Sequence, residues 1–221
     1  MRDGGRGGAQ GFTAPGSLRG PAEASSRARI RVQPVEAGLC NGLPLRGVYA
    51  NLGTLFGSRG QQQILEQLPE ELAEGLAYGR IVAGGWYPIG WLSALHEGAQ
   101  ELSGSGRELA RKLGYMGSKS YFRGVHKVFI SFMDPGFVIG KTPIIFRKYY
   151  DTGEAVVVGK NRGNCVLRFS GCTGFDANLW QGLIGACEAV LELSGAKNIR
   201  LRAVSGGGDA DADAEVSAYW T

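Results

Sequence analysis

Residues 164–202, NCVLRFSGCTGFDANLWQGLIGACEAVLELSGAKNIRLR, decide the fold. The first seven have strand character and run into a sharp Gly171-Cys172-Thr173-Gly174 turn. Beyond it Phe175, Leu179, Leu183, Ile184, Cys187, Val190 and Leu191 recur at the spacing of one helical stripe, with Trp180 beside it. Asp176 falls in the first helical turn, where unpaired N–H groups favour a carboxylate. Gly195 is placed to end the helix in a left-handed cap, and residues 195–198 turn the chain back into a strand at 199–202. The stripe predicts that Leu183 packs on the sheet these strands build. This unit is scaffold and carries no catalytic constellation.

Upstream, Val156-Val157-Val158 suggests a strand buried on both faces, and the loop at 159–163 makes it the antiparallel hairpin partner of 164–170. Downstream, Ala212, Ala214, Val216, Ala218 and Trp220 alternate with Asp209, Asp211, Asp213 and Glu215. That pattern predicts a half-exposed strand pairing back along 199–204, its acids guarding a free sheet edge. The first half reads as helices: 45–57, a piece from Ile64, one opened by Pro69, and one opened by Pro88 and ended near Gly104. Further helices start at Arg107 and at Tyr121, the latter presenting Phe122, Val125, Phe129 and Phe132. Residues 135–150 are two short helices or one kinked at Pro143. Residues 29–33 read as a short edge strand, 34–44 as loop and 81–83 as a buried strand fragment. Helices first and strands last make the chain α+β.

A chain of 221 residues that is 43% hydrophobic can bury one sizeable core. Residues 29–221 are expected to form a single domain, and the Gly- and Arg-rich residues 1–28 a disordered tail. No apolar run is long enough for a membrane span and the N-terminus has no apolar signal core, so a cytoplasmic protein is expected. Cys40, Cys165, Cys172 and Cys187 have no C-x-x-C pairing and read as buried free thiols. A zinc site from the last three lacks a fourth ligand.

The net charge of +4 is unevenly spread: residues 107–148 hold nine basic side chains against two acidic ones. Arg107, Arg111, Lys112, Lys119, Arg123 and Lys127 are the candidates for a face that meets an acidic protein partner. The interleaved aromatics are needed for the helices' core, so a nucleic-acid surface is not expected. The Asp209–Glu215 ladder does not follow a calcium-loop pattern, and Asp151-Thr152-Gly153 occurs once, in a turn. His96 and His126 have no nucleophile to serve, and no further motif supports haem ligation by either. No catalytic residue, metal or cofactor is therefore expected, and the protein reads as a non-enzyme.

Trp86-Tyr87-Pro88, residues 149–153 (YYDTG), residues 171–176 (GCTGFD), Asn178-Leu179-Trp180 and residues 185–188 (GACE) together resemble a paralogous family of unknown function from myxobacteria, over roughly residues 45–221. That family is distantly similar to a ligand-binding superfamily containing 4-vinyl-reductase-type domains, haem–nitric-oxide-binding domains and transport-protein-particle subunits. The resemblance implies an N-terminal helical layer packed on a C-terminal antiparallel sheet crossed by one long amphipathic helix. It also implies a small apolar ligand between helices and sheet, or pairing as dimers in larger assemblies. The chain departs from the haem branch in having no Tyr-x-Ser-x-Arg motif, and from zinc-bearing sensors in its cysteine spacing. Trp86, Tyr87, Phe129, Phe146, Tyr149 and Trp180 are the candidates to line a ligand pocket. The leading functional reading is a non-enzymatic small-molecule-binding or signalling module acting through protein partners, expected as a homodimer or assembly subunit. The alternative is a ligand-free scaffold or dimerisation subunit with a basic partner-binding face.

Overall fold

The computed structural model describes Ile30 and residues 37–122 and 130–221. The tail at 1–28, the short strand expected at 29–33 except Ile30, and most of the helix expected from Tyr121 lie outside the described residues.

Four strands form one antiparallel sheet. β3 (Glu154–Asn161) and β4 (Asn164–Ser170) make the expected hairpin, but its turn is only Arg162-Gly163, with Gly163 at φ +81°, and β3 is an edge strand that leaves Val156 and Val158 exposed rather than buried on both faces. Lys160 and Asn161, expected in the loop, instead pair with Cys165 and Asn164. β5 (Arg200–Gly206) and β6 (Ala214–Tyr219) complete the order β3-β4-β6-β5.

The order corrects the reading of the last strand as a sheet edge. β6 is interior, pairing with β4 through Val216↔Leu167 and with β5 through Ala218↔Leu201. Only Glu215 of the four acids is in the strand, where it pairs across to Arg168 at 2.7 Å. The other three serve the preceding loop. Asp209 accepts from the Ala177 N–H (3.2 Å), Asp211 from Gly208 (2.8 Å) and Asp213 from Gly171 (2.8 Å). These carboxylates satisfy amides that no ladder reaches.

The helix of the deciding stretch is present as α7, Ala177–Leu193. Asp176 is its N-cap, one position earlier than a first-turn acid, and accepts from the Leu179 N–H at 2.8 Å. Gly195 closes it at φ +90°. Trp180, not Leu183, faces the sheet: its ring meets Phe169 of β4 at 5.9 Å and Phe175 at 4.6 Å, and its indole N–H donates to the Asp211 carbonyl. Leu183 is half-buried and looks away from the strands. The apolar stripe is wider than one surface, so α7 serves two interfaces.

The helical layer begins earlier than its sequence suggested. β1 (Leu39–Asn41) pairs antiparallel with β2 (Trp86–Pro88), so neither 39–44, expected as loop, nor Pro88, expected to open a helix, behaves as read. Asn41 caps α1 (Gly42–Leu65) by accepting from Leu43 N–H, which starts the helix at once. Gly57, at φ +68° and ψ −179°, interrupts α1 between its two expected pieces. α2 (Glu70–Ala77) follows Pro69 as predicted, and 81–83 is not a strand although Ile81 is buried. α3 (Gly90–Ser103) ends on Gly104 at φ +65°, and α4 (Glu108–Tyr121) follows. Residues 135–150 take the two-helix form, α5 (Pro135–Ile139) and α6 (Thr142–Tyr149). The result is a mixed α+β fold in which α7 lies between the sheet and the other helices. All four cysteines are buried free thiols.

Candidate ligand cavity

α4 and α7 come together backbone to backbone, because each presents glycine where the helices cross. A Cβ on residue 114 would stand 2.0 Å from the Gly182 carbonyl oxygen, and one on residue 185 the same distance from that of Arg111. No side chain can occupy either place. Charged contacts brace the crossing. Arg111 of α4 reaches Glu188 of α7 through Nε (3.0 Å) and a terminal nitrogen (2.5 Å), and also donates to the Leu201 carbonyl of β5 at 2.7 Å. One turn on, Lys119 meets Glu192 at 3.0 Å, and the Tyr115 hydroxyl donates to the same carboxylate.

Beside this crossing the helices diverge and leave a cavity of about 660 Å3. Its wall is Val48 of α1, Leu113 and Gly117 of α4, Ile139 of α5, Phe146 and Tyr149 of α6, and Leu179, Leu183 and Ala186 of α7. The exposed Arg46 and Tyr121 mark its mouth, and His96 of α3 lies in its wall at the buried end, 2% exposed. The volume falls within the roughly 300–1,000 Å3 of small-molecule sites, and the lining is apolar with a few polar tips.

Those tips are neutral near pH 7. Burial lowers the His96 imidazole to about 4, and raises the Tyr149 phenol and the Cys187 thiol to about 12 each. The Nδ1 of His96 has no hydrogen-bond partner among the described residues. Its Nε2 faces α7, 3.7 Å from where a Cβ on residue 182 would stand. A buried donor or acceptor without a partner is uncommon in a folded protein and calls for an explanation.

The structure separates the six pocket candidates. Phe146 and Tyr149 are in the cavity wall. Trp86 is 45% exposed on β2, Tyr87 stacks on Trp91 and accepts from the Val82 N–H, and Trp180 is in the sheet core. Phe129 lies outside the described residues. The basic candidates separate too. Arg107 pairs with Asp209, and Arg111 and Lys119 hold α7, so these three are committed within the chain. Lys112 is exposed, and Arg123 and Lys127 lie outside the described residues. His96, Gly117, Gly182 and Ala186 were not singled out as pocket residues. Their signal is the small-residue spacing of Gly114 and Gly117 on α4 against Gly182, Gly185 and Ala186 on α7, which marks a close helix pair. Among the described residues no group of three or more His, Cys, Asp or Glu could hold a metal ion.

Replacing Arg111 with methionine should destabilise the fold by about 1–2 kcal/mol, since the half-buried Glu188 loses a bidentate partner while the aliphatic packing is kept. Urea unfolding of the two proteins would measure it. An unchanged midpoint would make the pair decorative.

No protein-family model matches the chain, and no curated protein matches its sequence. Solved structures do. The unliganded Fe(II) H-NOX protein from K. algicida superposes with a TM-score of 0.63 at 13% identity, covering 82% of this chain and 96% of that one. The H-NOX protein from S. oneidensis in its Fe(II)NO state gives 0.62 at 11% identity, over 82% and 99%. An oxygen-binding H-NOX domain related to soluble guanylate cyclases gives 0.60 at 10% identity, over 82% and 95%. At such identities the likeness is one of fold: over about four-fifths of its length this chain is built on the plan of the H-NOX domains.

Proposed function

We propose that this protein is a non-enzymatic module that binds a small apolar molecule between its helices and passes the binding state to protein partners. The observation that carries the reading is the cavity of about 660 Å3 bounded by α1, α4, α6 and α7, apolar except for a few neutral tips inside and Arg46 at the mouth. Its position supports a sensing role, because the occupant would touch α7, the helix that joins the helical layer to the sheet. The reading includes action in the cytoplasm and assembly as a homodimer or subunit, as the resemblance to 4-vinyl-reductase-type and haem–nitric-oxide-binding domains implies. Among the described residues no helix is long and apolar enough to cross a membrane. The rival reading, a ligand-free scaffold with a basic face, has less support because Arg107, Arg111 and Lys119 already have partners within the chain.

An iron porphyrin, which the fold implies, requires an axial donor clear of the backbone and cations for two propionates. Among the described residues the wall offers one imidazole, whose Nε2 has room for only a small group beside Gly182 and whose Nδ1 is enclosed, a Cys187 thiol and a Tyr149 phenol that burial keeps protonated, and one cation, Arg46, at the mouth. These residues do not fit that group. His126 lies outside the described residues.

The test is titration of the purified chain with the neutral fluorophore N-phenyl-1-naphthylamine, alongside native mass spectrometry. One saturable site is expected, weakened at least about tenfold by Ala186→Trp, which puts an indole into the cavity. No saturable site in the unmodified chain would remove the reading.

A further inference from the structure

The buried end of the cavity holds a polar group that the fold leaves unused. His96 is almost wholly enclosed, no described residue hydrogen-bonds its Nδ1, and its Nε2 faces the bare Cα of Gly182 in the same wall. Leu92, Leu113 and Leu179 line the wall with it, so the site is apolar apart from the ring. A neutral imidazole carries one N–H donor and one bare nitrogen acceptor. Nδ1 is sealed as well as unpaired, so Nε2, on the side of Gly182, is the nitrogen that a ligand in the cavity can meet, and a hydrogen bond there offsets part of the cost of burying the ring.

The charge pattern narrows the ligand further. Arg46 is the one charged side chain in the described wall, and it is at the exposed mouth. A carboxylate or phosphate carried inward would lose its water with no cation to meet it. We propose that the occupant is an uncharged, largely apolar molecule carrying one hydrogen-bonding oxygen, a hydroxyl or a carbonyl, that reaches the imidazole of His96. Gly182 is the residue that keeps the space beside the ring clear. This rests on the cavity being a ligand site, and it adds the class of ligand and the residue that selects it.

The experiment uses the full chain with N-phenyl-1-naphthylamine as reporter and three ten-carbon competitors: decan-1-ol, decane and decanoate. Decan-1-ol is expected to displace the reporter about tenfold more tightly than either of the others, the size of effect one buried hydrogen bond gives. His96→Leu should erase the alcohol's advantage over decane, read as the ratio of the two competitors' displacement constants in that variant. Gly182→Ala gives a second, independent arm. The added methyl meets nothing closer than 3.7 Å and favours the helix, so the variant keeps its fold while crowding Nε2. It too should lose the alcohol preference.

An alcohol preference that survives both substitutions overturns the assignment of His96, with the cavity reading intact because the reporter binds. Decanoate as the tightest competitor, weakened by Arg46→Ala, overturns the uncharged class. Stoichiometric uptake of hemin with a shifted Soret band, in the unmodified chain or in His126→Ala, overturns the metal-free class. Failure of the reporter to bind the unmodified chain removes the cavity reading itself.

Discussion

Replacing Trp180 with alanine will destabilise the protein by about 3–5 kcal/mol, the cost of emptying a large aromatic from a core that cannot collapse around the loss. The indole is 1% exposed and is the point where three parts of the chain meet. It is carried by α7, it touches Phe169 of β4 and Phe175 of the turn before the helix, and its N–H donates to the Asp211 carbonyl in the loop before β6. Phe169 and Phe175 continue the contact to Phe146, at 5.5 and 6.0 Å. Losing the indole therefore loosens the seam between helix and sheet. Trp180→Phe separates the two contributions. It keeps most of the ring contact, deletes the hydrogen bond to a part-buried carbonyl, and should cost only about 1–2 kcal/mol. Urea unfolding of the three proteins gives both numbers. A loss below about 1 kcal/mol for the alanine variant, the range of surface changes, would show that α7 is not anchored through this residue.

That residue also shows what could be read from sequence and what could not. The strand, turn and helix of 164–195 were legible because their signals are local: the helical period, the acidic cap and the glycine stop. Which surface each side of α7 meets was not, because a stripe that wide fits two orientations. Leu183 therefore faces the cavity and Trp180 the sheet. The place of β6 inside the sheet was also hidden, since alternation gives a strand its faces but not its neighbours. Choosing pocket residues by aromatic content found Phe146 and Tyr149 but also took in Trp180, because large rings are what a core uses to fill space. An open space is made instead by small residues, here Gly117 and Ala186, and is hard to see in a composition. The partners of Arg111 and Lys119 were hidden for a related reason. Arg111, Tyr115 and Lys119 are four apart on α4, facing Glu188 and Glu192, four apart on α7. Counting charge along one helix misses the partner helix that neutralises it.

Acid will weaken this protein through His96 as pH falls below about 6.5. In the folded chain burial lowers the imidazole to about 4. In the unfolded chain it titrates near its ordinary value of about 6.5. Above pH 6.5 neither state binds the proton and the residue makes stability independent of pH. As pH falls from 6.5 towards 4 the unfolded chain takes up a proton that the folded chain refuses, so unfolding is favoured progressively. Below 4 both states are protonated and the loss is complete, at about 3 kcal/mol for a shift of that size. Carboxylates contribute to the same range: the exposed Glu192, lowered by Tyr115 and Lys119, is lost in acid, whereas Glu97, raised by burial, works the other way. The difference between the unmodified chain and His96→Leu cancels both. Urea midpoints at pH 7.0, 5.5 and 4.5 are expected to fall more steeply for the unmodified chain, by up to about 3 kcal/mol over the full window. Parallel pH profiles would mean that the folded imidazole accepts its proton as readily as the unfolded one. The buried end of the cavity would then be open to water, and the ring would not be the dry, unpaired group that a ligand's oxygen could satisfy.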